Sequence, residues 1–209
     1  MAKEFQIDAV PRWALELKER ITAPTAHVFV LHFNVADLVP FGQEFLPLPL
    51  FLSRFLGQDK AIIFYDRSKG LSFSDPEVEK LIRKITGYDQ EGVLEAQKRA
   101  LAALGEVFPP KALPSHPAKV LPLLEQVFKS GCFKGRGLLV IIEYAETILP
   151  SADLSTLGDE DRTNLVTFLR WAADPEIGEA TTIILTVGNL ADLHPRLRYQ
   201  GSRIEALEI

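Results

Sequence analysis

Residues 137–146 read GLLVIIEYAE, a glycine and five consecutive apolar residues followed by a short segment with two carboxylates. An apolar run of this length, without alternation of polar residues, is typical of a strand buried on both faces of a parallel sheet. Helices must cover both faces of such a sheet. The run therefore predicts an α/β sandwich in which this strand is central.

The rest of the chain has the alternation of strands and helices that this fold needs. Apolar runs predict further strands at 27–31, 61–65 and 182–187, and the spaced apolar residues of RIEALEI suggest a fifth strand at 203–209. Helical spacing of apolar residues predicts helices at about 10–21, 49–56, 75–87, 90–105, 115–131 and 165–172. These segments are long enough to connect parallel strands. We expect residues 32–47 to be irregular and residues 75–110 to form a helical insert.

Composition excludes several classes of protein. The 209 residues carry a formal net charge of −5, which argues against a general nucleic-acid partner. The single cysteine, Cys132, fits a reducing compartment and we expect the cytoplasm. No apolar run approaches the ~20 residues that span a bilayer, so we expect no membrane partner. The four histidines have no zinc-binding spacing, so no metal site is expected.

Ligands of open parallel sheets bind beyond the carboxyl ends of the strands. Three of the predicted strand ends carry polar residues. The first is Leu31-His32-Phe33-Asn34, the second runs from Ile142 to Glu146, and the third is Val187-Gly188-Asn189. We take the polar residues at these ends as candidate site residues.

The second and third ends resemble the AAA+ ATPase family. GLLVIIEYAE resembles its Walker B strand, which makes Glu143 and Glu146 Walker-B-like residues. The stretch TTIILTVGNLADLHPRLRYQGSRIEALEI, at 181–209, resembles the sensor-1 strand, a turn, an arginine finger and a last strand. The resemblance places Asn189 at the sensor and Arg203 at the finger. It implies a P-loop NTPase-like three-layer sandwich with a mostly parallel five-stranded sheet, ordered 5-1-4-3-2.

The sequence departs from that family at the motifs that bind and hydrolyse nucleotide. No G-x-x-x-x-G-K-[ST] motif occurs in the chain, and His32, Phe33 and Asn34 stand at the nucleotide-loop position. A phosphate loop needs glycines for close backbone approach and a lysine for the phosphates. The Walker B aspartate is replaced by Glu143, and Tyr144 stands where the family has its catalytic glutamate.

Each candidate residue also has a purely structural interpretation. Glu143 and Glu146 are compatible with solvated carboxylates at a strand end, and Asn189 with a turn residue that bonds its own backbone. Arg203 is compatible with a cation that simply faces solvent. His32 at a strand end is compatible with a packed or hydrogen-bonded histidine.

The resemblance leads to one expected function and two alternatives. We expect a catalytically degenerate AAA+-like domain that serves assembly, partner recruitment or regulation of an ATPase. The first alternative is an atypical or weak ATP-hydrolysing enzyme that uses Glu143, Glu146 and Asn189. The second is an interaction scaffold with no role for nucleotide.

The same resemblance sets the expected domains, cofactors and partners. Residues 1–209 are expected to form one AAA-like domain without the helical lid, the N-terminal module of a longer bacterial-type AAA protein. No cofactor is expected in the isolated chain, and ATP with Mg²⁺ only under the enzyme alternative. The expected partner is an active AAA module or a neighbouring protomer of a homo-oligomer.

Overall fold

A computed structural model of the chain describes residues 10–23, 25–89, 112–199 and 201–209. The strands are β1 (Val28–His32), β2 (Leu38–Phe41), β3 (Glu44–Pro47), β4 (Ala61–Asp66), β5 (Gly70–Phe73), β6 (Leu138–Ile142), β7 (Thr181–Val187) and β8 (Ile204–Glu208). The α-helices are α1 (Arg12–Thr22), α2 (Leu48–Leu56), α3 (Pro76–Thr86), α4 (Pro117–Lys129), α5 (Asp159–Ala173) and α6 (Pro175–Gly178). Within these residues, no helix combines the length and apolarity needed to cross a bilayer.

In the part of the chain that the structure describes, the central sheet has six strands in the order β5-β4-β6-β7-β1-β8. All of its neighbouring strands are parallel except β5, which pairs antiparallel with β4 at one side of the sheet. Counted along the chain, the five parallel strands have the order 5-1-4-3-2. The strand order that the family resemblance implied is therefore confirmed, and β5 is an addition to it.

Helices cover both faces of the sheet, as the apolar run of β6 predicts. Val140 and Ile142 face α3, α4, α5 and α6, whereas Leu139 and Ile141 face α1, α2 and the β2–β3 hairpin. All five residues of β6 are buried. The alternation of side chains along a strand sends neighbouring residues into the two opposite cores, so both cores depend on this one strand.

One hairpin and one further strand differ from the prediction for the first half of the chain. Residues 38–47, expected to be irregular, form the antiparallel β2–β3 hairpin, whose turn contains Gly42 at φ +61°. Prolines are excluded from central strands, but Pro40 and Pro47 are tolerated here because the hairpin is a two-stranded sheet. The second unpredicted element is β5, which returns along β4 after a turn at residues 67–69.

The helical insert predicted at 75–110 is described only in part. Its first helix is α3, where the Asp75 carboxylate caps the N-terminus by accepting from the Glu77 amide at 2.9 Å, and Gly87 ends the helix at φ +70°. These are the residues that the sequence assigned to the start and end of this helix. The helix predicted at 90–105 lies outside the described residues.

A charged cluster joins α4 to α5 on the surface. Both terminal nitrogens of Arg170 donate to the Glu125 carboxylate, and Lys129 Nζ donates to it at 2.7 Å. The hydrogen bonds from Arg170 are the main reason why the pKa of Glu125 falls to about 2. The indole of Trp171, which is fully buried, also points its N–H at this carboxylate, at 3.4 Å.

The buried position of β6 predicts the effect of a charge in it. Ile142 is 0% exposed, so Ile142→Asp places an unpaired carboxylate in the core and should leave the chain unfolded or insoluble. The control Ile142→Val should remain folded and lose about 0.5–1.5 kcal/mol. Circular dichroism and thermal melting test both variants. A soluble aspartate variant with an unchanged melting temperature would contradict the assignment of this run to the core.

The charged cluster at Glu125 predicts that the free energy of unfolding falls at acid pH. Because the folded-state pKa lies below the usual value of 4.5, the ionised carboxylate stabilises the fold above that pH. This stability is lost as the pH falls from 4.5 towards 2. Glu125→Gln should therefore lower the free energy of unfolding by about 1–2 kcal/mol at pH 7, allowing for solvent screening of Arg170.

Urea denaturation at pH 7 and again at pH 3 measures this effect, and the difference between Glu125→Gln and wild type should shrink at the lower pH. The matched control is Glu179→Gln, because Glu179 pairs with Lys134 while its side chain remains 61% exposed. We expect that control to change stability little at either pH. Equal losses for the two variants would contradict the role assigned to Glu125.

Candidate functional site

The backbone that leaves β1 continues the hydrogen bonding of the sheet instead of opening into a loop. The Phe33 amide donates to the Gly188 carbonyl at 3.1 Å, and the Asn34 amide donates to the Ile209 carbonyl at 3.4 Å. The Ile209 amide in turn donates to the His32 carbonyl at 3.0 Å. The predicted nucleotide-loop residues are thus bonded to the strands or strand ends on either side of β1.

No helix begins directly after β1. The chain first forms the β2–β3 hairpin, and α2 starts only at Leu48. The N-terminus of α2 therefore does not follow the strand end, where a helix could offer free amides and its dipole to an anion. Gly42, the single glycine of this region, lies in the hairpin turn.

A cleft with a volume of about 220 Å³ lies at the carboxyl end of the sheet. Val35 and Ala36 line it on the β1 side, and Glu143, Tyr144 and Glu146 line it beyond β6. The end of β7, from Thr186 to Gly188, completes the lining. The structure therefore brings the two Walker-B-like glutamates together, and we call this site the carboxyl-end cleft.

Glu143 is half-buried beside a second carboxylate. Burial is the main cause that raises its pKa, and the negative charge of Asp66 on the neighbouring strand raises it further, while Lys69 acts in the opposite direction. Asp66 itself is bound to the turn that follows it, because its Oδ1 accepts from the Ser68 and Lys69 amides at 2.8 Å each. Glu143 is thus the group of this pair that is left available to a ligand.

The segment after Glu143 is a fixed turn. Tyr144 has left-handed backbone angles, φ 55° and ψ 47°, and residues 145–147 form one turn of 3₁₀ helix. The Thr147 hydroxyl donates to the Tyr144 carbonyl at 2.7 Å, and Arg67 donates to the Thr147 carbonyl at 2.7 Å. Because of this turn Glu146 reaches the same cleft as Glu143, and its Oε2 is buried without a hydrogen-bond partner among the described residues.

Asn189 lies just beyond β7, and its side chain serves the local turn. Its Oδ1 accepts from the Ala191 amide at 2.9 Å and so caps a short 3₁₀ helix over Leu190–Asp192. This is the bonding expected of a turn residue. The turn is joined to the segment after β6, because the Ser151 amide donates to the Asp192 carbonyl at 2.8 Å and the His194 amide to the Leu149 carbonyl at 3.0 Å.

Arg203 lies at the opposite end of the sheet. It immediately precedes β8, and the parallel register pairs Val28 with Ile204 and His32 with Glu208. Five paired residues at ~3.3 Å each put about 16 Å of strand between Arg203 and the residues beyond His32. Arg203 therefore stands apart from Glu143, Glu146 and Asn189 in the same molecule.

Arg203 borders a pocket of about 330 Å³ at the amino end of the sheet. His27 lies in the same pocket, and its Nε2 donates to the Trp171 carbonyl at 2.8 Å. Burial chiefly lowers the pKa of His27, and the nearby charge of Arg203 lowers it further. The other two basic residues of this segment, Arg196 and Arg198, influence His194 instead. Burial chiefly lowers the pKa of His194, and the positive charges of Arg196 and Arg198 lower it further. We call this site the amino-end pocket.

Sequence reasoning missed the amino-end pocket and the left-handed backbone of the carboxyl end. Phe33, at φ 86°, and Tyr144 are the non-glycine residues of the described chain with positive φ. Neither residue type signals that conformation, which favours glycine or asparagine. The position of Arg203, in contrast, follows from its place just before a parallel strand.

The two sites differ in the charged side chains that line them. The carboxyl-end cleft offers two carboxylates, and the amino-end pocket offers a guanidinium. Within the described ranges, no group of three or more histidine, cysteine or acidic side chains is placed to hold a metal ion. No described nucleophile and base stand together at either site in a way that defines a reaction.

Comparison with known proteins shows the family. Residues 3–209 match the family described as "AAA+ chaperone, N-terminal Rossmann-like domain". No curated protein matches the chain. Among solved structures, a chain of the E. coli MS115-1 HORMA:CdnC:Trip13 complex is similar at 15% identity and a TM-score of 0.46. The similarity covers 100% of this chain and 54% of the other, so this chain spans about half the length of that relative. The family match covers nearly all of the sequence, and the chain belongs to the AAA+ chaperone N-terminal Rossmann-like domain family.

Proposed function

We propose that this chain is a module of an AAA+ chaperone that serves assembly, partner recruitment or regulation of an ATPase, and does not itself turn over nucleotide. The observation that carries the proposal is the bonding at the end of β1. The Phe33 and Asn34 amides are committed to Gly188 and Ile209, so they are not free to bind phosphate oxygens. A phosphate cradle depends on free amides of this kind.

The charges around the cleft support the same proposal. Glu143 and Glu146 line it, and the Glu143 carboxylate already lies in the field of Asp66. A triphosphate entering here would add negative charge to a site where no described lining residue is a cation. A bound Mg²⁺ would offset part of this repulsion, yet the described residues supply neither the lysine nor the helix N-terminus that hold the phosphates in this fold class.

The position of Arg203 supports a role towards another molecule. Its side chain is exposed, and no described carboxylate lies within ion-pair distance of it. Because Arg203 lies at the opposite end of the sheet, its side chain cannot reach the carboxyl-end cleft of its own chain. In the proposal, Arg203 faces an active AAA module or a neighbouring protomer.

The enzyme alternative rests on the juxtaposition of Glu143 and Glu146 in one cleft. A carboxylate whose pKa is raised by burial is a better proton acceptor at neutral pH, which a hydrolytic base requires. Under this alternative ATP and Mg²⁺ would bind through contacts other than a phosphate loop. The scaffold alternative needs no nucleotide at all, and it agrees with the first proposal on the outcome of a nucleotide titration.

Calorimetric titration of ATP·Mg²⁺ and of ADP into the chain tests the proposal. Since the phosphate contacts are missing, we expect a dissociation constant no tighter than about 1 mM, which corresponds to about −4 kcal/mol. The matched variant is Glu143→Ala, which should behave like wild type. Micromolar ATP binding that is lost in Glu143→Ala would contradict the proposal and favour the enzyme alternative.

A second prediction concerns Arg203. Because its guanidinium is exposed and unpaired within the described residues, Arg203→Ala should change the free energy of unfolding by less than about 0.5 kcal/mol. Placed in a longer AAA+ protein with an active module, the same change should lower ATPase activity or oligomer formation.

The control for this experiment is Arg198→Ala. Arg198 is a neighbouring exposed arginine, but its Nε donates to the Leu193 carbonyl at 3.1 Å, so its loss should lower the melting temperature more than the loss of Arg203. If Arg203→Ala destabilises the chain by several kcal/mol and leaves the activity of the longer protein intact, Arg203 is a structural residue and its proposed role is wrong.

A further inference from the structure

The side of the β2–β3 hairpin that faces away from the core is apolar. Successive side chains of a strand point to opposite faces, so the buried Val39 and Leu46 point inward and the residues beside them point outward. The outward residues pair across the hairpin as Leu38 with Pro47 and Pro40 with Phe45. We call these four residues the outer hairpin face.

The outer hairpin face departs from the usual pattern of an antiparallel sheet. Such a sheet, when one face is buried, normally carries polar residues on the other. Here Leu38 is 57% exposed and Phe45 is 56% exposed, and the residues paired with them are prolines. Adjacent apolar side chains exposed in this way mark a contact surface. The described residues leave this surface uncovered, so its occupant is another segment or another molecule.

The first residues of the chain have the complementary pattern. Residues 4–9, which lie outside the described residues, read EFQIDA. Strict alternation of this kind is typical of an extended segment with one apolar and one polar side. Phe5 and Ile7 fall on the apolar side, two residues apart. The two outward residues of each hairpin strand have the same separation, so the apolar rows match in spacing.

This segment joins the described chain close to the hairpin. Val10 and Trp13, at the start of α1, pack in the same apolar cluster as Phe41 of β2. The rings of Trp13 and Phe41 both contact Phe51, at 5.4 and 5.7 Å between ring centroids. Leu38 precedes Phe41 by three positions, about 10 Å along the strand. Residues 4–9 span about 20 Å when extended, so the segment is long enough to reach the outer hairpin face.

We propose that residues 4–9 of this chain dock on the outer hairpin face, with Phe5 and Ile7 against Leu38 and Phe45 and the polar side of the segment towards solvent. Burial of large apolar side chains provides the attraction. The short connection to α1 holds the segment near the hairpin at a high effective concentration. The proposal goes beyond the proposed function, because neither the nucleotide argument nor Arg203 involves this face.

Four double variants of the full chain separate the two surfaces. The segment variant is Phe5→Thr with Ile7→Thr, and its matched control changes the polar side, Glu4→Thr with Gln6→Thr. The hairpin variant is Leu38→Thr with Phe45→Thr, because threonine retains a preference for strands. Its matched control is Leu154→Thr with Val166→Thr, which changes two apolar residues that are 42% and 61% exposed elsewhere on the surface.

Limited digestion with thermolysin, which cleaves before large apolar residues, measures how often the segment is released. Cleavage before Phe5 and Ile7 follows the population of the released segment when docking is fast. We expect the hairpin variant to be cleaved there about tenfold faster than wild type, and the Leu154 and Val166 control at the wild-type rate. Since docking is within one chain, the protection should not depend on protein concentration.

Binding of the dye 8-anilinonaphthalene-1-sulfonate measures the other surface. The segment variant should uncover the outer hairpin face and bind more dye than wild type, whereas the Glu4 and Gln6 control should not. Adding the two hairpin substitutions to the segment variant should return dye binding to the wild-type level. Melting temperatures should show that all variants are folded, and the segment variant and its control remain decisive if the hairpin substitutions destabilise the chain.

Three results would overturn the proposal. The first is equal cleavage before Phe5 and Ile7 in wild type and a folded hairpin variant. The second is unchanged dye binding in the segment variant. The third is protection that rises with protein concentration, which would assign the outer hairpin face to a second copy of the chain.

Discussion

The hydrogen bonds of the two residues that follow β1 decide which backbone amides the carboxyl end of this sheet can offer to a ligand. In an open parallel sheet, the amides beyond a strand end are available to ligands only if the chain turns away from the neighbouring strands. Here Phe33 and Asn34 remain paired with residues beside β7 and β8. The hairpin β2–β3 then occupies the place in the chain where a helix would otherwise begin, and the cleft that remains is small and acidic.

The same end of the sheet is held firmly by contacts among its loops. Arg67 supports the turn at Thr147, and the buried Asn164 amide of α5 donates to the Ile148 carbonyl at 3.2 Å. Pro150 and Leu193 form an isolated β-bridge between the segments that follow β6 and β7. These contacts fix the left-handed turn at Tyr144, so its exposed ring is a built feature of the fold.

Much of the fold could be predicted from the sequence, because the parallel strands other than β8 are mainly apolar runs and α3 carries its own start and end signals. The β2–β3 hairpin could not be predicted, because Pro40 and Pro47 argue against strands. They are tolerated here only because β2 and β3 form a separate two-stranded sheet. For the site, the strand-end rule pointed to Glu143 and Glu146, and the structure places both side chains at one cleft. It could not predict the left-handed backbone of Tyr144. That conformation depends on contacts from Arg67, which is distant in the chain, and from Thr147, which follows it. The functional roles assigned to these residues remain predictions.

The position of β1 in the sheet has a consequence for the synthesis of the protein. Among the described residues this strand is the first, yet its two neighbours, β7 and β8, are the last two. During translation the apolar run Val28–Leu31 must wait for residues 181–208 before it finds either partner. Pairing over so long a separation is slow, and an unpaired apolar strand is prone to aggregate. We therefore expect the nascent chain to need protection of this strand until residues 181–208 have been synthesised.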